Sequence, residues 1–410
     1  MRTALSLLVL FAALAGCSGS SDGSAASDLA SDTRRAADAI ADAAAPETAA
    51  PALPFSEMFD EVLAYLLANV KCEHGNFEQD FGDACFYGQA FLVWHGVEIQ
   101  DAQVTTLGLH AAAFALGEAE EFLDNPAGFM EAGDDLVMGL LGLLETWQRY
   151  DQAVALLGEE AFLEALPAQR KHIADVLRDS VEAMDVLLQV MGDYVPDADT
   201  YSVYTYGNTV VTALFALLDV ELARRFPSLA DTWLDRAEAI TETIHEKAWN
   251  DLLGGYRIRP DDEKLYLYPN IIMMLLYGRM YSLSGNPLHL ERAQALFQAI
   301  QPLKDAAQGS YKSPYSAKTM GAKTDDYKTL SSQLYTSLAF MTLYEQTGEA
   351  LYLDEANGLF SFIDSHLRED GKILHHWMDG EIAKPEHLEY YCTGCNFQAL
   401  YALKYLWGVE

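Results

Sequence analysis

The apolar positions of this chain fall into long stretches of two alternating kinds. The segments 227–249 (PSLADTWLDRAEAITETIHEKAW), 286–303 (NPLHLERAQALFQAIQPL) and 349–367 (EALYLDEANGLFSFIDSHL) place apolar residues near i, i+3, i+4 and i+7 and keep a charged opposite face. That spacing predicts amphipathic helices lying on the outside of a core. The segments 209–226 (TVVTALFALLDVELARRF), 271–283 (IIMMLLYGRMYSL), 334–346 (LYTSLAFMTLYEQ) and 399–407 (ALYALKYLW) are apolar almost all round. Helices of that kind are surrounded by protein.

Each all-apolar segment opens on a similar polar phrase: Tyr206-Gly-Asn208, Tyr268-Pro-Asn270, Ser331-Ser332-Gln333 and Cys395-Asn396-Phe397-Gln398. Positions 208, 270, 332 and 396 are 62, 62 and 64 residues apart, the mark of an internal repeat. Extending the repeat backwards gives inner helices over 134–150 and about 83–95. Their outer partners fall at about 168–191, 103–118 and 56–70, which makes six hairpins and twelve helices. The loops from outer to inner helix are long and strand-like, as in GGYRIRPDDEKLYLY and GKILHHWMDGE, with turns expected at Pro260-Asp261-Asp262 and Asp379-Gly380. The return loops are short and carry turn residues, as in Ser284-Gly-Asn-Pro287 and Gln346-Thr-Gly348.

This layout resembles the (α/α)6 toroid of the six-hairpin glycosidases and the acylglucosamine epimerase group over residues 55–410. The resemblance implies an all-α fold with short β-hairpins in the long loops of one face and a substrate pocket at the centre of that face. An open helical solenoid is the competing architecture.

Ahead of the helices, Arg2 precedes the short apolar stretch LSLLVLFAALA, which ends at Leu14-Ala-Gly-Cys17. This resembles the lipobox of bacterial lipoproteins. It implies a cleaved signal over 1–16, lipidation of Cys17 and, with Ser18 following, an outer-membrane place in the cell envelope, periplasmic or surface-exposed. Residues 17–54 then read as a disordered tether, because Ser, Ala, Asp and Gly bury too little apolar surface to offset ordering. Membrane contact is expected through the lipid anchor only. The net charge of −35 repels phosphate backbones, so nucleic acid is an unfavourable partner. A carbohydrate or glycan is the expected ligand, and the chain is expected to be a monomer.

If the ring closes, the inner-helix starts converge on one funnel. They bring Asp83, Tyr87 and Gln89; Asp134 and Asp135; Tyr206 and Asn208; Tyr268 and Asn270; Asp326 and Gln333; and Asn396 with Gln398. Amides and tyrosines suit sugar hydroxyls and sugar faces, although Asp, Ser and Asn are also the preferred helix N-caps. The Asp134-Asp135 pair is the leading acid–base candidate, with Asp326 as the opposing carboxylate, since glycosidic cleavage uses two carboxyl groups. GDDLVM (133–138) is similar to the adjacent Asp pair of the α-1,6-mannanases of this fold, but Gly133 and Met138 stand where that family has aromatic residues. His376 and Trp377 in the last long loop are further substrate-facing candidates. The reading is therefore a glycoside hydrolase, with two alternatives: an epimerase or isomerase working through pocket histidines, and a noncatalytic lipoprotein that binds a glycan or a protein. No catalytic metal spacing and no cofactor motif is found.

Besides Cys17, the cysteines are Cys72, Cys85, Cys392 and Cys395. The first and last inner helices are neighbours in a closed ring, so these four are expected to gather at the seam and clasp the chain ends. Two disulfides are the leading form and a four-cysteine structural zinc site is the alternative.

Overall fold

In the computed structural model the described residues are 53–69, 86–126, 133–194, 205–260, 262–314, 326–378, 381–382 and 392–409. The signal, residues 17–52 of the tether with Cys17, and Cys72, Asp83 and Cys85 lie outside them. The helices are α1 (Ser56–Asn69), α2 (Phe86–Glu98), α3 (Ala102–Asp124), α4 (Gly133–Gln148), α5 (Tyr150–Leu157), α6 (Glu159–Ala165), α7 (Arg170–Met191), α8 (Thr209–Arg225), α9 (Ala230–Ala248), α10 (Leu267–Ser284), α11 (Pro287–Ile300), α12 (Leu330–Thr347), α13 (Ala350–Phe362) and α14 (Thr393–Val409). Of these, α2, α4, α8, α10, α12 and α14 form the inner ring, each packed on the next, and α14 packs back on α2. The ring is closed, and the solenoid alternative is set aside. The remaining long helices are the outer layer, with α5 and α6 as two short helices that the sequence pattern did not separate. No described helix is long and apolar enough to cross a membrane.

The two kinds of helix have the burial that their patterns predict. On α9 the buried residues form one stripe, Trp233, Ala237, Ile240, Thr241, Ile244 and Ala248. On α8, consecutive residues from Val211 to Val220 are all buried. Inner helices stop where Gly285 and Gly348 take left-handed φ angles of 64° and 69°, a conformation that costs a side-chain-bearing residue energy. Asn286 then caps α11 through Leu288 N, with Pro287 at its first position.

The strands are β1 (Trp249–Asn250), β2 (Gly255–Tyr256), β3 (Lys304–Asp305), β4 (Ser310–Tyr311), β5 (Tyr327–Thr329), β6 (Arg368–Glu369), β7 (Lys372–Ile373), β8 (His376–Met378) and β9 (Glu381–Ile382). Tight hairpins β1–β2, β3–β4 and β6–β7 follow outer helices directly, and β5, β8 and β9 form a three-stranded sheet joining the last two long loops. The first of the two expected turns is displaced: the hairpin closes over 251–254, ahead of Pro260. The second is in place, since β8 pairs with β9 across 379–380.

One interaction recurs at the helix starts. Asn270 accepts from Tyr256 N at 2.7 Å and donates to Tyr256 O at 2.9 Å. Gln333 holds Tyr311 in the same way, at 2.8 Å in both directions. Asn396 holds Ile373, again at 2.8 Å both ways. Each amide is the fourth residue of its helix, and each partner pairs with the first residue of the preceding hairpin. The true repeat is therefore 63 residues at 270, 333 and 396; Ser332 stands one residue before the equivalent position, and Asn208, the N-cap of α8, has a different role. The seam itself closes through Phe59, whose ring lies 4.8 Å from Trp407 and 5.8 Å from Phe91. Trp407 also donates to Pro54 O at 3.0 Å, and Lys404 pairs with Glu98. The expected cysteine clasp is corrected here: Cys392 and Cys395 are bonded to each other, not across the seam.

Replacing Asn270 by Ala strands the N–H and C=O of Tyr256 in a dry site. The expected loss is about 3 kcal/mol of unfolding free energy, read from the urea midpoint. A loss near zero would show that the amide is not what holds the hairpin.

Candidate functional site

The inner ring encloses an axial cavity of about 320 Å³. Its lining starts at the second turn of the inner helices and runs toward their C-termini. At the upper level, Tyr335 of α12 donates to Met138 Sδ of α4 at 3.2 Å. These two helices stand opposite each other in the ring, so the contact bridges the axis. Tyr268 of α10 meets Tyr335 edge-on, with ring centroids 5.7 Å apart, and Gln398 of α14 lines the same region. Below lies a belt of leucines that includes Leu141, Leu214 and Leu338.

The far end is charged. Arg225 bonds Glu221 and Glu145, Arg149 bonds Glu145 at 2.6 Å, and Arg279 reaches Glu221 and Glu345 at 3.6 Å each and donates to Tyr405 Oη at 2.7 Å. Burial alone would push the Glu221 carboxyl up, but Arg279, Arg225 and Arg224 outweigh it and hold it below its ordinary value. Burial likewise opposes the Arg279 charge, which Glu221, Tyr405 and Glu345 stabilise more strongly. Six helix C-termini converge at this end, so arginine is the favoured residue there. The opposite end collects six N-termini, where partial positive charge favours carboxylates and the oxygen atoms of a polar ligand.

The structure sorts the expected site residues by helix face. Gln398 lines the axis and Tyr268 abuts it. Asn270, Gln333 and Asn396 are turned outward and are occupied by the hairpins and, for Asn270 and Asn396, by the backbone carbonyls of Tyr266 and Cys392, which corrects their assignment to the ligand. Asn208 is the N-cap of α8, accepting from Val210 N and Val211 N. Gln89 is buried between helices, donating to Gly139 O of α4 at 3.1 Å. Burial pushes the Tyr206 phenol up, and it hydrogen-bonds Thr243 of the outer helix α9. Asp326 is paired with the fully buried Lys328 at 2.5 Å, which Asp305 also neutralises at 3.0 Å. A buried ammonium needs such partners, so Asp326 serves as a counter-ion.

His376 is 1% exposed and bonded through Nδ1 to Tyr327 Oη at 2.7 Å. Trp377 is packed edge-on against Phe362 and His366 on the outer side. Neither lines the axial cavity. Burial, with His376 beside it, pushes His375 down to about 3. Asp135 is exposed, and its charge acts on Glu118 of α3, so it belongs to the outer side of α4. Position 134 stands four residues before Met138 and shares its helical face. The side chains of Asp134 and Tyr87 lie outside the described residues. The sequence reading missed Tyr335, Met138 and the charged end. The available signal was ionic residues at i, i+4 in otherwise apolar helices, Glu221 with Arg225 and Glu145 with Arg149.

No family model matches the sequence, and no curated protein matches it. Solved structures do. A sugar epimerase from a ruminal bacterium superposes with a TM-score of 0.53 at 10% identity, over 87% of this chain and 99% of that one. A family 88 glycosyl hydrolase from Bacteroides vulgatus gives 0.51 at 10% identity, over 85% and 97%. A family 76 glycoside hydrolase from a bovine Bacteroides thetaiotaomicron strain gives 0.50 at 15% identity, over 86% and 78%. The fold is thus an (α/α)6 toroid, shared with neighbours described as a sugar epimerase and as glycoside hydrolases.

Replacing Arg279 by Met leaves Glu221 and Glu345 with one fewer cation in a nearly dry site. Stability should fall by about 3 kcal/mol, read by chemical denaturation, and adding Glu221→Gln should recover part of it. A neutral R279M variant would mean that water already screens this end.

Proposed function

We propose that this protein is a carbohydrate-active enzyme of the cell envelope, anchored through Cys17, that binds a glycan above the Met138–Tyr335 bridge and hydrolyses it with the carboxyl of Asp134. The observation that carries this reading is the aromatic and amide floor formed by Tyr335, Tyr268 and Gln398, directly beneath the convergent helix starts. Aromatic edges and faces shield the apolar side of a sugar, and an amide offers both a donor and an acceptor to its hydroxyls. Position 134 is the site on the axial face of α4 one turn above that floor. Asp135 and Asp326 are engaged elsewhere, so the second carboxyl group that glycosidic cleavage uses is neither of them.

Hydrolysis is preferred to epimerisation because His376 is buried beneath Tyr327 and neither His375 nor His376 lines the axis. A glycan-binding role without turnover is the second reading. It is favoured by one fact: among the described residues, the carboxylates on the axis, Glu145 and Glu221, are both held by arginine.

Asp134→Asn should lower reducing-sugar release by about 10²–10⁴-fold on any glycan the wild type cleaves, while Asp135→Asn leaves it within a few-fold. Tyr268→Ala and Gln398→Ala should weaken glycan binding measured by calorimetry. Equal rates for wild type and D134N would reject the acid assignment. Tight binding with no turnover across α- and β-linked glycans would select the second reading.

A further inference from the structure

The start of α14 holds a donor set that the carbohydrate reading leaves unused. Cys392 immediately precedes the helix and Cys395 lies in its first turn. The Cys395 amide donates to Cys392 Sγ at 3.0 Å, an arrangement that stabilises a thiolate at a helix N-terminus. His375, in the bend between β7 and β8, presents its ring to the same place: its ligand nitrogen and the two sulfurs all lie within 4.8 Å of one another. Its Nδ1 is buried and has no hydrogen-bond partner among the described residues. A buried polar atom left in that state is costly and calls for a ligand. The backbone around it is already fixed, since Asn396 clamps Ile373 and donates to Cys392 O at 2.9 Å. The three donors are therefore held on a rigid junction between the last hairpin and the last inner helix.

We propose that His375, Cys392 and Cys395, with the cysteines reduced, form a binding site for a thiophilic divalent cation of the zinc class. Two thiolates in C-x-x-C spacing and one imidazole are a soft, tetrahedral donor set, with the fourth position taken by water. This replaces the four-cysteine zinc site read from the sequence with one in which His375 is the third ligand. Metal-bound and disulfide states exclude each other. Opening the disulfide takes two electrons and two protons. A dithiol supplies both and closes to its own disulfide, whereas a phosphine supplies the electrons and water the protons, its oxygen ending in the phosphine oxide. The cation then displaces the two thiol protons. The bound metal would tie β7–β8 to α14 and shield both sulfurs from reoxidation. This inference is independent of the sugar chemistry.

The full chain, reduced with a phosphine and desalted under nitrogen, should bind one equivalent of Zn²⁺ in competition with a chromophoric chelator. Co²⁺ should give the ligand-field bands of a tetrahedral site together with a thiolate charge-transfer band. Cys392→Ser or Cys395→Ser should abolish that spectrum, and His375→Gln should weaken binding by at least about 10–100-fold with the urea midpoint of the metal-free chain preserved. In the wild type, Zn²⁺ should protect Cys392 and Cys395 from alkylation, read by mass spectrometry of the peptides, so the proposal stands or falls even where a variant misfolds. Cys72→Ser and Cys85→Ser should bind normally. A reduced chain that takes up no metal, an unaffected H375Q, or loss of binding in C72S or C85S would each overturn the assignment.

Discussion

A helix with no face to solvent has to supply partners for whatever backbone runs against its end. That constraint governs this toroid. The hairpins that lead into the inner helices pair their second strands on one edge only and turn the other edge toward the helix starts. Asn270, Gln333 and Asn396 complete those strands by acting as a substitute edge, each amide both accepting from and donating to one residue. Because the fourth residue of the helix does this, the same contact sets where the helix begins and how far the loop reaches over the ring.

The second organising feature is the convergence of helix ends. The twelve long helices of the two layers, alternating in direction, place six inner N-termini on one face and six inner C-termini on the other. Their dipoles add at close range on the axis, where little water screens them. Arg149, Arg225 and Arg279 answer the negative end and are in turn balanced by Glu145, Glu221 and Glu345. In a chain with 61 acidic and 26 basic residues, several of the few cations are thus committed to the axis. The ionic network lines one end of the cavity, opposite the face of the helix starts.

How much of the site could be read in advance depended on angular position. Asn396 and Gln398 are two residues apart, which on a helix is about 200° of rotation. One faces the hairpin and the other the axis, although both looked alike as polar residues at a helix start. Asp134 and Asp135 differ in the same manner by about 100°, which was enough to send Asp135 to the outer layer. Cys392 and Cys395 show the opposite limit: their spacing placed them at the start of the last inner helix, but their bond to each other depended on distances of a few ångströms.

The sequence by itself determined the two classes of helix, their alternation and the approximate repeat, because burial on one side or on all sides is written in the spacing of apolar residues. It also supplied the all-α class, and the toroid as what the resemblance implies, while closure of the ring was decided by the packing of α14 on α2. The tertiary structure alone decided which polar residues serve the backbone and which face the axis. It brought Tyr335 to Met138 across 197 residues of chain and His375 to Cys392 and Cys395. Spacing along a chain records the local helical angle, whereas a binding site is made by distances between segments that no local pattern encodes.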